Sequence, residues 1–301
     1  RVRSSAASDV YKRQVVVREV GPRDGLQPEV PLAVGSRLSM ISALVTAGLR
    51  SIEVAAFVSP RAVPAMAGAA DVVAGLPAVP GVTWWALVPN VRGASLAIDA
   101  GIDHLSVTVS ASEAYSGRNV GMSITESMAQ AMVIAGMAPV VDVVISCAFG
   151  SPYEGEIQVA SVAAMAAHCR DEGASVTLAD TTGMASPRRI AELVGAIGAE
   201  VGLHLHDTRG TALVNAYAAM SLGVRRFDTA VGGLGGSPFA PGAGGNLATE
   251  DLVYLCDDLG IWSGIDLERL LSASGVASSL VGRPVPSRVA AAGLAFAPVQ
   301  G

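Results

Sequence analysis

The stretch VVVREVGPRDGLQ, residues 15–27, decides the fold class of this chain. Its first six residues are rich in β-branched valine and predict a strand, and the segment GPRDG at residues 21–25 forms the turn after it. A dinucleotide-binding fold carries a GxGxxG turn directly after its first strand. The GPRDG turn does not have that spacing. The stretch therefore favours an α/β barrel over a doubly wound open sheet, which remains the alternative fold.

Downstream of this stretch, short β-rich runs alternate with longer segments rich in Ala and Leu, which predict helices. Eight such units in roughly 250 residues fit a (β/α)8 TIM barrel. The predicted strands cover residues 15–20, 51–57, 82–88, 104–110, 140–148, 175–180, 201–206 and 226–231. The predicted helices include residues 35–47, 124–137, 157–172, 187–199 and 211–222.

The two ends of the chain lack this alternation. Residues 1–14 hold four of the 20 basic residues and show no amphipathic period, so we interpret them as a leader outside the fold. The leader is either a cloning or assembly artefact or a short mitochondrial transit peptide. We expect the barrel domain over residues 15–263. A short C-terminal helical extension is expected over residues 264–301, with helices at 266–274 and 287–294.

Composition excludes several classes of function. The 301 residues carry a net charge of −6 and no basic run, so we expect no nucleic-acid partner. No run approaches the roughly 18 apolar residues of a membrane span, so no membrane partner is expected either. Lys12 in the leader is the only lysine, which nearly excludes a Schiff-base mechanism. Three widely spaced cysteines fit a reducing compartment, and we expect a cytoplasmic protein, or a mitochondrial one if the leader is native.

Polar residues concentrate at the predicted strand ends, which is where TIM barrels build their active sites. His204 and His206 are two of only four histidines, and positions i and i+2 of a strand face the same side. Asp24 after strand 1 adds an anionic oxygen, and Asn246 beyond strand 8 adds a carbonyl oxygen. Two nitrogens and two oxygens suit Mg2+ or Mn2+, with Zn2+, Co2+ and Fe2+ left open. The alternative is a fortuitous HxH pair on a surface strand.

A glycine-rich loop follows strand 8. Residues 232–245 contain seven glycines, among them Gly233, Gly235 and Gly236, with Ser237 at the centre. A mobile lid that closes over the barrel mouth and excludes water is the functional interpretation. A flexible surface connector is the alternative, and a phosphate cradle is disfavoured because the spacing matches no P-loop.

Four motifs in this order resemble those of one enzyme family. They are RDGLQ at residues 23–27, IEVAAFVSP at 52–60, HLHDTRG at 204–210 and the glycine-rich loop that ends in Asn246. This combination resembles 3-hydroxy-3-methylglutaryl-CoA lyase, from a metallolyase group of TIM barrels that also contains isopropylmalate synthase. The resemblance implies a divalent metal on Asp24, His204, His206 and Asn246. It also implies cleavage of an acyl-CoA to acetyl-CoA and acetoacetate, as in leucine breakdown and ketone-body formation.

Cleavage between C2 and C3 of such a thioester requires loss of the C3 hydroxyl proton and stabilisation of a thioester enolate. Arg23 is placed to hold the enolate oxygen, although an ion pair with Glu53 is the alternative role. Either Asp24 or His204 accepts the hydroxyl proton. We expect Glu53 and Asp180 to orient Arg23, a ligand or metal-bound water, with a hydrogen-bonded barrel-layer residue as the alternative role. Asp180 is also a candidate for binding the substrate. Gln27 is a candidate for contact with the substrate.

One departure from the family concerns its GGLGGCP pattern, in which a cysteine helps to protonate the enolate. This chain has Ser237 there, and Ser151 in a second loop where the lyase commonly has cysteine. A serine hydroxyl is a far weaker acid than a thiol, whose pKa is about 8.5. The change predicts a slower lyase, a different 3-hydroxyacyl-CoA substrate or loss of activity. Ala55 and Ala56 beside Glu53 are consistent with an altered pocket.

Two alternative functions therefore stay open. One is a Claisen-type acyltransferase that condenses acetyl-CoA with a 2-oxo acid, although those relatives usually carry further C-terminal domains. The other is a catalytically weakened barrel that binds metal and acyl-CoA. The expected partner is a small acyl-CoA molecule, and a homodimer is the assembly to test.

Overall fold

Eight parallel strands close into a barrel in the computed structural model, which describes residues 14–236 and 244–294. Each strand pairs with the next in sequence order, and β8 pairs with β1, where Val17 lies opposite Phe227. This closure confirms the (β/α)8 TIM barrel and rules out the open sheet. The strands are β1 (Val16–Glu19), β2 (Ser51–Ala56), β3 (Thr83–Val88), β4 (His104–Ser110), β5 (Val140–Ser146), β6 (Ser175–Asp180), β7 (Gly202–Leu205) and β8 (Arg226–Thr229).

Helices surround the barrel, and several of them start at polar capping residues. Ser123 and Glu126 form a capping box at the start of one helix, and Ser186 caps another just before Pro187. The helices are α1 (Val34–Thr46), α2 (Ala69–Ala74), α3 (Val91–Asp99), α4 (Glu113–Asn119), α5 (Ile124–Ala135), α6 (Val159–Asp171), α7 (Pro187–Ile197), α8 (Ala212–Ser221), α9 (Thr249–Asp258), α10 (Leu267–Val281) and α11 (Arg288–Ala292).

Several predicted strands run too far at their carboxyl ends. Strand 5 was expected to reach residue 148, but β5 ends at Ser146 because Cys147 adopts a left-handed conformation with φ 54°. Strand 8 was expected to reach residue 231, but Val231 belongs to a short 3-10 turn. These residues are apolar and buried, so their composition resembles a strand although the backbone has already turned toward the barrel mouth.

The C-terminal segment packs against the outside of the barrel. Leu270, Ala273 and Ala277 of α10 are buried, and the Asp266 N–H donates to the carbonyl of Ala47 beside α1 at 2.8 Å. Two helices are present here as expected, and α10 extends beyond the predicted end at residue 274. The boundary at residue 264 stays a prediction, and nearly all of the leader lies outside the described residues. Within residues 14–236 and 244–294, no helix is long and apolar enough to cross a bilayer.

The hydrophobic core lies mainly between strands and helices. Leu105, Val107 and Val109 alternate along β4 and are buried in this core. The opposite faces of the strands carry polar groups that meet inside the barrel, where Arg18 of β1 contacts Asp228 of β8. This interior differs from the layers of branched apolar side chains that usually fill a TIM barrel. The polar interior extends directly beneath the carboxyl ends of the strands.

Glu19 at the end of β1 joins two segments that approach the barrel mouth. One of its carboxylate oxygens accepts the N–H groups of Gly21 and Val231, each at 2.8 Å, and the other accepts the Thr249 hydroxyl at 2.6 Å. Glu19 is fully buried, and this burial raises its pKa to about 8 despite the three donors. The side chain therefore fixes the turn after β1 to the turn after β8.

We expect Glu19→Gln to change how stability depends on pH. The pKa of Glu19 is raised in the folded state, so its contribution to stability is complete below the unfolded-state pKa and falls as pH rises toward 8. Glutamine fits the same site and does not titrate. Relative to the variant, the wild type should lose at most about 1.4 kcal/mol of unfolding free energy per pH unit in this window. Urea unfolding of chelator-treated protein at several pH values measures the difference.

The control for this measurement is Glu200→Gln at an exposed position, whose profile should follow the wild type. Parallel wild-type and Glu19→Gln profiles between pH 5 and pH 8 would show that Glu19 titrates normally.

Candidate active site

The turn after β1 directs Arg23 and Asp24 toward the barrel mouth. Residues 21–25 form a single π-helical turn in which three successive N–H groups, from Arg23 to Gly25, donate to the carbonyl of Val20. A glycine is needed at position 21, because a Cβ atom there would lie 2.5 Å from a Glu19 carboxylate oxygen. The tight turn brings two adjacent charged side chains into the same site.

Three predicted ligands converge at this mouth. The Nε2 atoms of His204 and His206 are 3.1 Å apart, and an Asp24 carboxylate oxygen lies 3.8 Å and 4.0 Å from them. Asn246, the fourth predicted ligand, donates its amide N–H to this oxygen at 2.8 Å. Both histidines and Asn246 are buried, so the site is largely shielded from solvent.

The hydrogen bonds around the two imidazoles fit a cation. Nδ1 of His204 lies 3.3 Å from an Asp228 carboxylate oxygen, and Nδ1 of His206 lies 3.2 Å from the carbonyl of Gly244. Both partners are acceptors, so each neutral ring carries its proton on Nδ1 and turns the lone pair of Nε2 toward the other ring. Two facing lone pairs repel each other unless a cation or a proton lies between them.

The side chain of Asn246 provides a second observation that fits a cation at this site. Its buried side-chain oxygen accepts no hydrogen bond from any described residue. A buried amide oxygen without a donor is rare in folded proteins. One ligand atom each from Asp24, His204 and His206 lies within 4.8 Å of the others, which suits binding to one ion. The residues present therefore fit a divalent cation bound by two nitrogens and two oxygens.

The charges at the site favour the metal-binding protonation states of Asp24 and His206, whereas the pKa of His204 is raised because Asp228 and Asp24 outweigh its burial. Burial opposes ionisation of Asp24, but Arg23 and the two imidazoles outweigh it and hold its pKa at about 2. Burial, together with His204, lowers the pKa of His206 to about 4. An ionised carboxylate and a neutral imidazole are the forms that bind metal ions.

Arg23 is fixed between two carboxylates. Its Nε donates to Glu53 of β2, and one terminal nitrogen donates to Asp24. Arg23 and Glu53 are both buried, yet Arg23 still lines the cavity at the barrel mouth. The ion pair with Glu53 and access to a ligand, which the sequence presented as alternatives, occur together.

The cavity above these residues has a volume of about 400 Å³. Gln27, Gly236 and the two histidines line its polar side. The opposite wall is more apolar and consists of Ala56 at the end of β2 and residues at the ends of β3 and β4 and in the loops after β2, β3 and β4. Ala55 does not line the cavity and is buried behind it. Of the two alanines, only Ala56 is placed to affect the pocket.

Asp180 and Ser151 lie away from the cavity lining. Asp180 is buried, and one of its oxygens accepts the N–H groups of Met184 and Ala185 at 2.6 Å and 3.0 Å. Its other oxygen has no hydrogen-bond partner in the described part of the chain, and burial raises its pKa to about 6. The hydroxyl of Ser151 is buried against the Ser112 hydroxyl at 2.9 Å. In this structure, both residues stabilise loops.

The two stems of the glycine-rich loop touch each other beside Asn246. The backbone carbonyl of Leu234 accepts both the backbone N–H and the side-chain N–H of Asn246, at 3.2 Å and 2.9 Å. A Cβ atom on Gly245 would lie 1.9 Å from the carbonyl oxygen of Gly233, and one on Gly235 would lie 2.4 Å from the Asn246 amide nitrogen. Glycine is therefore required for this contact. Ser237 lies outside the described residues, and the lid remains a prediction.

Asp228 and Arg18 support the candidate metal site but were not predicted from the sequence. Asp228 contacts His204 directly, and Arg18 holds Asp228. The sequence did contain an indication, because both charged residues occur inside predicted strands. A charged residue on the inward face of a strand needs a buried partner, so such a residue is a candidate member of the site.

Comparison with known proteins agrees with the motifs. A family model described as HMGL-like matches residues 14–276. Hydroxymethylglutaryl-CoA lyase YngG of Bacillus subtilis is 39% identical over 92% of this chain and 97% of its own length. A 3-hydroxy-3-isohexenylglutaryl-CoA/hydroxy-methylglutaryl-CoA lyase of Pseudomonas aeruginosa is 40% identical over 95% of this chain and 99% of its own.

The fold agrees over the same length. The structure of an HMG-CoA lyase from Acenitobacter baumannii in complex with coenzyme A and 3-methylmalate matches with a TM-score of 0.91 and 37% identity. That match covers 97% of this chain and 99% of the other. Sequence motifs, barrel topology and overall similarity thus agree, and the chain belongs to the HMGL-like family.

Proposed function

We propose that the protein is a divalent-metal-dependent carbon–carbon lyase. It cleaves 3-hydroxy-3-methylglutaryl-CoA, or a closely related 3-hydroxyacyl-CoA, to acetyl-CoA and acetoacetate or a related oxo acid. The observation that carries the proposal is that Arg23 and the residue set Asp24, His204 and His206 line one cavity. Relatives of about 40% identity that are named as lyases support it, as does the structural neighbour with bound coenzyme A.

We infer that Asp24, His204, His206 and Asn246 hold Mg2+ or Mn2+. Oxygen ligands from a carboxylate and an amide favour these hard cations, although histidine ligation also suits softer ones. Such a cation, when bound, supplies Lewis acidity that lowers the pKa of the substrate hydroxyl and favours its ionisation. The remaining tasks fall to side chains of the protein.

Bond cleavage needs a proton acceptor and a stabilised enolate. We propose that Asp24 accepts the proton of the C3 hydroxyl. His204 could accept it only by releasing the cation, because its Nδ1 donates to Asp228 and its Nε2 faces the metal site. As the C3 carbonyl forms, the C2–C3 bond breaks and its electron pair moves onto the thioester as an enolate. Arg23 can donate an N–H group to the enolate oxygen. Its contacts with Glu53 and Asp24 hold the guanidinium in place before the reaction, so little reorganisation is needed.

The enolate must then gain a proton at C2 to give acetyl-CoA. The family delivers this proton with help from the loop cysteine, and Ser237 occupies that sequence position here. Because serine is a much weaker acid than cysteine, we propose that water or another group donates the proton and that this step is slow.

The acyl group that the enzyme prefers depends on the apolar wall of the cavity. Val58, Val63, Val120 and Met122 lie on this wall, which suits aliphatic groups of an acyl-CoA. The Pseudomonas aeruginosa relative is named for both a branched isohexenyl substrate and the methyl one. We therefore include longer-branched 3-hydroxyglutaryl-CoA compounds among the candidate substrates. Asp180 at the end of β6 does not line the cavity, and contact between it and the substrate stays a prediction.

The wider setting follows from the reaction. Acetoacetate and acetyl-CoA are products of leucine breakdown and ketone-body formation, and we propose that role in the cytoplasm.

A homodimer is the proposed assembly. The barrel domain over residues 15–263, followed by the helical extension, remains our proposed division of the chain.

The reaction itself is tested with purified protein, Mg2+ or Mn2+, and 3-hydroxy-3-methylglutaryl-CoA. We expect acetoacetate to form, and we expect Arg23→Lys to lower kcat by about 10²- to 10³-fold because a single ammonium cannot replace the fixed guanidinium. Arg188→Lys, on the exposed face of α7, should keep the wild-type rate. Enzyme-coupled detection of acetoacetate provides the measurement.

The same assay separates the alternative functions. Release of free thiol from acetyl-CoA with 2-oxo acids, without acetoacetate formation, would favour the acyltransferase. Bound metal without turnover of methyl or longer-branched substrates would favour the non-catalytic barrel.

The metal site is tested by His206→Ala. Loss of one imidazole should lower both metal occupancy and activity, because an incomplete ligand set binds the cation poorly. Isothermal titration with Mn2+ and metal analysis after dialysis measure occupancy. His168→Ala, on the exposed face of α6, is the matched control and should bind as the wild type does. Full occupancy and turnover in His206→Ala would remove this residue from the site.

Proton delivery is tested by Ser237→Cys. If protonation of the enolate limits the rate, the more acidic thiol should raise kcat while KM changes little. Steady-state kinetics and the solvent isotope effect on kcat provide the measurement. An unchanged kcat would show that the position of Ser237 does not limit this lyase.

A further inference from the structure

A group of charged and polar side chains fills the barrel beneath the candidate metal site. We call Arg18, Asp142 and Asp228 the interior charge cluster. All three are buried, and they come from β1, β5 and β8, so the cluster crosses the barrel. Buried charges are costly unless each is paired and hydrogen bonded, so the cluster calls for an explanation beyond packing.

Arg18 lies at the centre of the cluster. Its Nε and one terminal nitrogen donate to the two carboxylate oxygens of Asp228, both at 2.8 Å, which forms a bidentate fork. The same terminal nitrogen lies 2.9 Å from Asp142. The other terminal nitrogen donates to Ser106 at 3.3 Å, and the guanidinium carbon is 4.9 Å from the centre of the Trp85 ring. These contacts leave Arg18 little freedom to move.

Asp142 and Asp228 are matched in charge and burial but differ in their other neighbours. Asp142 accepts the hydroxyls of Ser175 and Thr177 at 2.6 Å and 2.7 Å, which anchors it to β6. Asp228 instead lies 3.3 Å from Nδ1 of His204. One carboxylate therefore connects Arg18 to the barrel wall, and the other connects it to a candidate metal ligand.

The contact with Asp228 decides which nitrogen of His204 faces the cation. Both oxygens of Asp228 already accept from Arg18, so the carboxylate acts only as an acceptor toward His204. The imidazole must then place its proton on Nδ1, which leaves Nε2 free on the side of Asp24 and His206. His206 receives its orientation from the uncharged carbonyl of Gly244 instead.

We propose that Asp228, held by the bidentate fork of Arg18, is a positioning residue that sets the tautomer and ring orientation of His204 for metal binding. The inference rests on the metal dependence in the proposed function. It assigns to Arg18 and Asp228 an effect on metal affinity that an ordinary structural ion pair would not have. Partners of metal-bound histidines typically change affinity by about 10- to 100-fold when they are removed.

The test compares Asp228→Asn with Asp142→Asn. Both remove one buried negative charge that contacts Arg18, and both preserve side-chain size. Both oxygens of Asp228 accept from Arg18, so in either orientation the NH2 group of Asp228→Asn faces an Arg18 donor and breaks the fork, and in one orientation it also faces Nδ1 of His204. We expect Asp228→Asn to weaken Mn2+ binding by about 10- to 100-fold. Asp142→Asn should stay within about threefold of the wild type, because its carboxylate does not contact a ligand.

Mn2+ affinity is measured by isothermal titration of the chelator-treated protein without substrate, and urea unfolding of the same metal-free samples measures stability. The visible absorption spectrum of Co2+-loaded protein reports the ligand arrangement, and we expect it to change only in Asp228→Asn. Equal affinity and equal spectra in the two variants would overturn the inference. So would losses of affinity that follow the losses of stability in both.

A second variant covers the case in which Asp228→Asn does not fold. Arg18→Lys keeps the positive charge but cannot form the fork, so we expect Mn2+ affinity to fall by about tenfold. Wild-type affinity in folded Arg18→Lys would contradict the role of the fork. Failure of the wild type itself to bind Mn2+, Mg2+ or Co2+ would instead contradict the proposed function, and the two failures are therefore distinguishable.

Discussion

The interaction on which the site depends is the double hydrogen bond between Arg18 and Asp228. It brings together residues that are 210 positions apart in the chain, at the seam where β8 closes against β1. The interaction is buried, so loss of Arg18 would leave two carboxylates without the cation that both contact, in a medium of low polarity. Closure of the barrel and preparation of the site are thus linked, because the pair that spans the seam also supports His204.

Charges of opposite sign alternate through the interior of this barrel. One series runs from Asp142 through Arg18 to Asp228 and ends at His204. A second runs from Glu53 through Arg23 to Asp24. Each ion of these two series has a neighbour of opposite charge, which offsets the cost of burying charge inside the barrel. Both series end at the candidate metal site, where a divalent cation would continue the alternation.

The sequence predicted the barrel and the mouth of the site well, because both depend on local patterns. Alternating β-rich and helical segments determine the eight units, and the spacing of His204 and His206 places them on one strand face. The interior pairs were not predicted, since Arg18 and Asp228 acquire meaning only when distant strands meet. For Asp180, the position at a strand end predicted a role at the site, but the sequence could not show that its hydrogen-bond donors are backbone N–H groups of the following loop.

The close contact between Gly233 and Gly245 divides the glycine-rich loop into two parts. The stems that touch each other tolerate few substitutions, whereas the sequence between them is less constrained. The contact, together with the two hydrogen bonds that Asn246 donates to the Leu234 carbonyl, fixes Asn246 from outside the intervening residues 237–243. Changes of sequence or length within that insert need not displace Asn246, because the joined stems carry the positional constraint. The loop chemistry can therefore change, as the serine at position 237 illustrates, without a change in the position of Asn246.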